Sequence, residues 1–440
     1  MEYLNSVLNF LMLDNSNVRW VLAGACFLGL STGLIGCFAF LQKKSLVGDT
    51  LAHAALPGVA AAFLITQNKS PFILALGATI SCGLGFAACE YLSRRTKIKE
   101  DSALAIVLSL FFAAGVFLLS IIQRQPSGTQ AGLDKLLFGQ AAALVPSDLT
   151  LLAIVSLLTI LFVVCFFRPL RALVFDPVYA STTLTQSHRL RWMLAFMLVL
   201  IVVTGLQLVG VVLVAALLLT PAAAARYWSD RLQNILILAA LFGTISGIVG
   251  TQISLIAPRM PTGPWMVVTI TLIFALSLAC APHRGLLARA YRRRRYSRRI
   301  HEENILRSLY KFSEKEVGAA TLIEPRNILA FHSLSRASLE RHIARLVHRG
   351  ELRFQGTKLG FTPRGHKRAE ALTRRHRLWE AYLNKSLQLP PDHVHADAEE
   401  IEHILSPDLE EALHRELDGA TEDPHGRSIP LPPKNPQEET

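Results

Sequence analysis

The stretch Thr271-Leu-Ile-Phe-Ala-Leu-Ser-Leu-Ala-Cys280-Ala-Pro282-His-Arg-Gly-Leu-Leu-Ala-Arg-Ala290-Tyr-Arg-Arg-Arg-Arg295-Tyr-Ser-Arg-Arg-Ile300 decides the architecture, because its two halves need different solvents. As far as Ala281 it closes an apolar run long enough to cross a bilayer core of about 30 Å. From Arg284 to Arg299 it carries eight arginines and no acidic residue, which no hydrocarbon interior accommodates. Working outward, every apolar run of span length lies before Pro282, and long polar helices fill the rest. The whole chain of 440 residues is 51% hydrophobic with a formal net charge of +12, and its mean hydropathy is +0.36. These values describe a membrane protein with a basic, water-soluble end.

Nine spans are expected, at about 18–41, 48–65, 72–93, 103–122, 150–167, 192–206, 208–225, 233–256 and 265–281. Basic residues collect in the loops at 42–44, 94–99, 168–191 and 226–231, and most of all after Arg284. The intervening loops at 123–149 and 257–264 carry few. The positive-inside bias then places the N-terminus outside and the C-terminal region in the cytoplasm, which agrees with an odd number of spans. Residues 1–17 lack the basic start and small-residue cleavage site of a secretory signal. All six cysteines, Cys26, Cys37, Cys82, Cys89, Cys165 and Cys280, fall in apolar runs without the pairing of a disulfide framework or a zinc site. The expected fold is an all-α polytopic membrane domain over 1–281 and a basic juxtamembrane connector over 282–300. An α+β winged helix follows over 301–370, then a helical metal-binding and dimerisation region with a tail over 371–440.

Within the membrane half, Asp49 and His53 stand four residues apart in Ser45-Leu-Val-Gly-Asp-Thr-Leu-Ala-His-Ala-Ala-Leu-Pro-Gly58 and share one face of a helix. A carboxylate and an imidazole one turn apart are donors for a divalent cation such as Mn, Fe or Zn. The plainer reading has Asp49 capping a helix that starts after Lys43-Lys44, with His53 hydrogen-bonded in the bundle. The segment from Leu46 to Gly58 resembles the G-D-x-x-x-H-A-x-L-P-G signature of permeases from zinc, manganese and iron importers of the ABC type. Stretches at 97–107, 138–148, 175–180 and 207–225 resemble the same family in order. The resemblance covers residues 18–281 and implies that Asp49 and His53 line the metal path. It also implies that Phe175, Asp176 and Pro177 face the ATPase, and that a second permease copy and an external metal-binding protein complete the importer. Since no G-x-x-x-x-G-K-[ST] phosphate loop occurs, ATP hydrolysis is expected from a separate ATPase subunit and no enzyme activity from this chain.

The arginines of the connector read first as a stop signal that attracts anionic membrane lipid, and second as a hinge open to proteolysis. Beyond it, Ile305, Leu306, Leu309, Tyr310 and Phe312 form the apolar stripe of a helix running over 302–318. Residues 333–350 read as a turn and a recognition helix whose Leu339, Ile343, Leu346 and Val347 face the core. Ser335, Arg336, Ser338, Arg341, His342 and Arg345 remain on the other faces for operator DNA. Gly350 ends this helix, and 351–361, with Gly356 and Gly360 at turns, alternates as a wing hairpin. Lys367, Arg368, Arg374 and Arg375 on the next helix stand as phosphate contacts. A winged helix that binds protein, with its cations merely solvated, is the alternative.

The pairs and triplets that follow carry metal-ligand chemistry. His376 and Glu380 share one helical face; Glu399, Glu402 and His403 share another, with His395 one turn earlier. Two carboxylates with imidazole suit Mn(II) or Fe(II) and also accept Zn(II), whereas an exposed helix with scattered ion pairs would give the same residues no role. Residues 302–430 resemble the metal-dependent repressors of the diphtheria-toxin-repressor and manganese-repressor family, through Arg374 to Glu380, Val394 to Ser406 and Asp423-Pro-His-Gly426. The resemblance implies one metal site at His376, Glu380 and His395 and another at Glu399, Glu402 and His403. Asn304 stands where a methionine or aspartate ligand is usual. As a whole the chain resembles the permease–repressor fusions of chlamydiae. It is therefore expected in the bacterial inner membrane, importing a divalent metal and repressing transcription as a metal-dependent dimer, with the regulator released by proteolysis. A membrane-anchored metal sensor that no longer transports is the rival.

Overall fold

The computed structural model describes residues 16–44, 46–68, 70–124, 139, 144–183, 187–256, 260–315, 322–329, 334–390 and 405–431. The chain forms two compact units, Met1–Arg289 and Ala290–Thr440. In the first, the helices are α1 (Ser16–Leu41), α2 (Val47–Thr66), α3 (Pro71–Arg95), α4 (Glu100–Gln123), α5 (Pro146–Cys165), α6 (Phe167–Phe175), α7 (Pro177–Thr183), α8 (Ser187–Val209), α9 (Val211–Trp228), α10 (Leu232–Ile256) and α11 (Thr262–Cys280). Among the described residues nine of them, all but α6 and α7, are long and apolar enough to cross a membrane. They coincide with the nine expected spans. Large apolar side chains stand exposed along the outer helices, such as Leu76, Leu84, Leu110, Phe117, Leu157 and Leu272. Hydrocarbon solvates such a face as water could not.

Helix α1 runs against α10 with almost no side chain between them. A methyl group on Gly29 would overlap the carbonyl of Gly243, and one on Gly33 the carbonyl of Ala239. Small residues four apart let two backbones touch, which is how helices gain packing energy in lipid. Between α8 and α9 the chain breaks at the single residue Gly210, whose φ of 93° suits glycine.

Two expectations are corrected. The basic loop at 168–191 is helical for much of its length, forming α6, α7 and the first turn of α8. The connector is no loose hinge either, since α12 (Leu286–Lys315) is one unbroken helix. The thirty residues of α12 contain neither Gly nor Pro, and Leu, Ala and Arg are strong helix formers.

The second unit continues with α13 (Pro325–Leu329), α14 (Arg336–His348), β1 (Leu352–Gln355), β2 (Lys358–Phe361), α15 (Pro363–Leu387) and α16 (Pro407–Glu416). Ile305, Leu306 and Leu309 of α12 meet Leu339, Ile343 and Leu346 of α14 in its core, together with Leu359, Ala369 and Leu372. Ser335 caps α14 by accepting from the Ser338 amide, and Gly350 beyond its end has φ 68°. The strands pair antiparallel from Leu352↔Phe361 to Gln355↔Lys358, so Gly356-Thr357 make the two-residue turn. Gly360 lies opposite Arg353 inside the ladder and not at a turn, as its spacing had led us to expect. Ile323 bridges to Leu359 and extends the wing sheet. A smaller core of Leu378, Ala381, Leu417 and Ile429 ties the C-terminal segment to α15.

Candidate cation and nucleic-acid sites

Asp49 and His53 lie on the first two turns of α2. Leu46 occupies the N-cap without a side-chain bond, so Asp49 is helical and does not cap the helix. Its negative charge in the first turn is favoured by the helix dipole. Because Lys43-Lys44 precedes this turn, the pair sits near the cytoplasmic end of the span. His53 Nε2 is 3.4 Å from Asp49 Oδ1, and the His53 ring stands edge-on to Phe112 of α4 at 4.9 Å. The other ring nitrogen, Nδ1, is buried without a hydrogen-bond partner. A buried imidazole nitrogen left unpartnered beside a carboxylate is a place where a cation or its water gains a ligand. Two donors fall short of the four to six that such a cation takes, so water or another chain must complete its shell. Farther along α2 the packing on α3 is close, since a methyl on Gly58 would overlap the Gly77 carbonyl.

On the side of the basic loops, α6, α7 and the start of α10 enclose a cleft of about 860 Å³ lined by Arg168, Arg171, Phe175, Asp176, Tyr179 and Arg231. Phe175 and Tyr179 are more than half exposed there. The Asp176 carboxylate accepts from the Tyr179 amide at 2.8 Å and so caps α7, whose first residue is Pro177.

In the second unit, recognition-helix candidates separate into two groups. Ser335, Arg336 and Arg341 are exposed, and Ser338 and Arg345 half-buried. His342 is instead buried, with its ring 5.4 Å from that of His301 and its Nδ1 3.8 Å from Glu302. Burial, His301 and Arg345 hold its pKa below the usual histidine range against the opposing pull of Glu302. It therefore braces α14 against α12 and does not reach outward. The phosphate contacts expected on α15 are corrected as well. Arg368 bonds Glu351 at 2.6 Å and Glu303 at 3.2 Å, while Arg374 bonds Glu410 and the Pro430 carbonyl. Arg375 faces Glu410 at 3.7 Å, and Lys367 alone of the four is exposed without a described ion pair. Arg374 is buried on the core face of α15, where a charge must be paired to be tolerated, and Arg368 is half-buried beside its two carboxylates.

Of the six expected regulator ligands, His395, Glu399, Glu402 and His403 lie outside the described residues. His376 and Glu380 are each 2% exposed, with Nε2 to Oε1 at 3.1 Å. The second ring nitrogen of His376 is not open to a metal, however, because the Arg307 guanidinium of α12 stands 2.7 Å from Nδ1. A guanidinium has no lone pair and repels a divalent cation. Sequence spacing did not reveal this arginine, which lies 69 residues from the histidine. Asn304 Oδ1, on the same helix, is buried without a partner. Among the described residues no group of three or more His, Cys, Asp or Glu side chains could hold a metal. The described pair thus does not fit a metal site by itself.

Residues 14–281 match the ABC 3 transport family, which is more than half of the chain. The chain belongs to the ABC 3 transport family. Residues 362–431 of the same chain match the iron dependent repressor, metal binding and dimerisation domain, so the permease is joined to a metalloregulatory domain. It is 40% identical over 387 residues to the manganese transport system membrane protein MntC of Bacillus subtilis (strain 168), covering 86% of this chain and 87% of that one. It is 30% identical over 423 residues to a probable metal transport system membrane protein of Chlamydia pneumoniae, covering 91% and 94%. Among solved structures, PsaBC from Streptococcus pneumoniae in complex with Fab shares 28% identity and a TM-score of 0.57, over 63% of this chain and 97% of that one. The permease is thus a membrane transport subunit, and the positive-inside bias puts its regulatory domain in the cytoplasm.

Proposed function

We propose that the permease conducts a divalent metal cation inward past Asp49 and His53, with Mn(II) or Fe(II) preferred and Zn(II) accepted. The unpartnered buried Nδ1 of His53, one turn from a carboxylate, carries this reading. Donors of intermediate hardness suit these ions. A separate ATPase docks at residues 175–177 beside the cleft of α6 and α7. An external binding protein delivers the metal, and a second copy of the permease supplies the facing half of the path.

In the same reading the regulatory domain binds operator DNA as a dimer through the exposed residues of α14, and metal dependence resides in the segment 395–403. The test is binding of the purified full chain to a duplex from its own upstream region, at fixed salt, with and without Fe(II), Mn(II) and Zn(II). One of these ions is expected to tighten binding at least about tenfold, and Glu402→Ala or His403→Ala to abolish that gain. Binding indifferent to metal would make the 395–403 segment structural.

Release of the regulator by proteolysis belongs to this reading too. Because α12 is unbroken from Leu286 and Gly285 is buried, the exposed stretch contracts to the turn at 282–284. Immunoblots against a C-terminal epitope are expected to show a fragment starting near residue 285. Full-length chain alone, at every metal concentration, would sink this part of the proposal.

A further inference from the structure

The N-terminal half of α12 and the outer face of α14 enclose a groove of about 490 Å³ within the second unit. Arg293, Arg294 and Arg298 form one wall, and Ser338, Arg341 and Arg345 the other. Positions 293, 294, 297, 298 and 301 recur at three- and four-residue intervals, so they occupy a single helical face. Arg292, Arg295 and Arg299 fall on the opposite face, and Arg299 is spent on Glu303 at 2.8 Å. Of the arginines in the groove, Arg345 is partly neutralised by Glu302, which lies 3.5 Å away. Arg293, Arg294 and Arg298 have no described ion pair. The run of arginines beside the membrane is therefore two sets of charges, not one.

We infer that Arg293, Arg294 and Arg298 bind the phosphodiester backbone of the duplex whose bases α14 addresses, so that the connector belongs to the DNA-binding surface. This rests on the proposed regulator reading and adds a second element to it. Arginine presents a planar fork of donors matched to phosphate oxygens. Contacts to the backbone on either side of a recognition helix set its register without reading sequence. A membrane surface is the weaker fit. A helix that lies in the headgroup layer inserts an apolar face, and the residues lining this groove include no large aliphatic or aromatic hydrocarbon side chain. Arg292 and Arg295 point the other way, outside the groove.

The test compares two double variants of the full chain in nanodiscs of neutral lipid, each losing two charges: Arg293→Gln/Arg298→Gln in the groove and Arg292→Gln/Arg295→Gln outside it. Binding to the upstream duplex and to a scrambled duplex is followed across a salt series. Each phosphate contact contributes about one to the slope of log K against log salt. The groove variant is expected to flatten the slope by about 2 and to weaken both duplexes by the same factor. The outer variant should change the slope by less than half as much. Arg293→Lys/Arg298→Lys should restore the slope, which separates lost charge from a misfolded α12. Equal flattening by the two double variants overturns the groove and leaves a diffuse charge cloud, with the regulator reading intact. No binding by the unaltered chain overturns both. DNA binding unchanged in the groove variant, with loss of anionic lipid that co-purifies with the chain, would assign the groove to the membrane and overturn the inference.

Discussion

Cells whose only copy of the permease carries His53→Ala are expected to take up divalent metal about ten- to a hundred-fold more slowly than cells with the unaltered chain. The same is expected of Asp49→Ala. The reasoning starts from the shortage of donors: one chain brings two groups, 3.4 Å apart, to the first turns of α2. Removing either leaves one, and no nearby described side chain replaces it. His53→Gln keeps a polar group of similar reach but loses the imidazole, and should fall with the alanine variant. Asp49→Asn keeps the shape and loses the charge that attracts a cation. Neither substitution touches the glycine contacts that pack α1 on α10 or α2 on α3, so chain levels in the membrane should hold. The measurement is initial uptake of radioactive manganese and iron, normalised to permease abundance. A membrane-anchored sensor without transport predicts no change in any of the four variants, and that result would favour the rival.

Arg377→Ala is expected to lower the local stability of the regulatory domain by about 3–5 kcal/mol, because it strips a partner from a buried ion pair. Arg377 is 2% exposed and is the anchor of three separated segments. It bonds Glu314 of α12 through two nitrogens, at 2.9 and 2.5 Å, and the Ser428 carbonyl at 2.6 Å. Its Nε lies 3.6 Å from the Asp423 carboxylate, whose side chain is 1% exposed. Alanine leaves that carboxylate without its cation and a void where the guanidinium was. Arg377→Lys keeps charge but cannot fork, and should fall between the two. Hydrogen exchange of the amides in α15 and in residues 420–430 reports the change. A loss of less than about 1 kcal/mol would place the cluster with exposed ion pairs, which contribute little.

Much of the candidate sites was legible because it depends on local patterning. The spacing of Asp49 and His53 and the recognition helix that Gly350 ends each involve residues within one or two turns. His342 shows the limit of that approach. Its helical position set it apart from Leu339, Ile343 and Leu346, but α12 passes close enough to bury it beside His301. Arg368 and Arg374 read as cations free to meet phosphate, and each is instead engaged by carboxylates from other segments of the chain.

By itself, the sequence determined the nine spans, their orientation, the change of solvent at Pro282 and the succession of helix, recognition helix and wing. Each follows from hydropathy over about twenty residues, from backbone periodicity or from turn chemistry, all of which act between near neighbours. The tertiary structure decided which charges are available. It set Arg307 against His376 across 69 residues and Arg377 against Glu314 across 63, and it gathered the connector arginines and α14 around one groove. Those pairings are settled when helices pack, since a buried charge accepts only the arrangement in which its partner is also present.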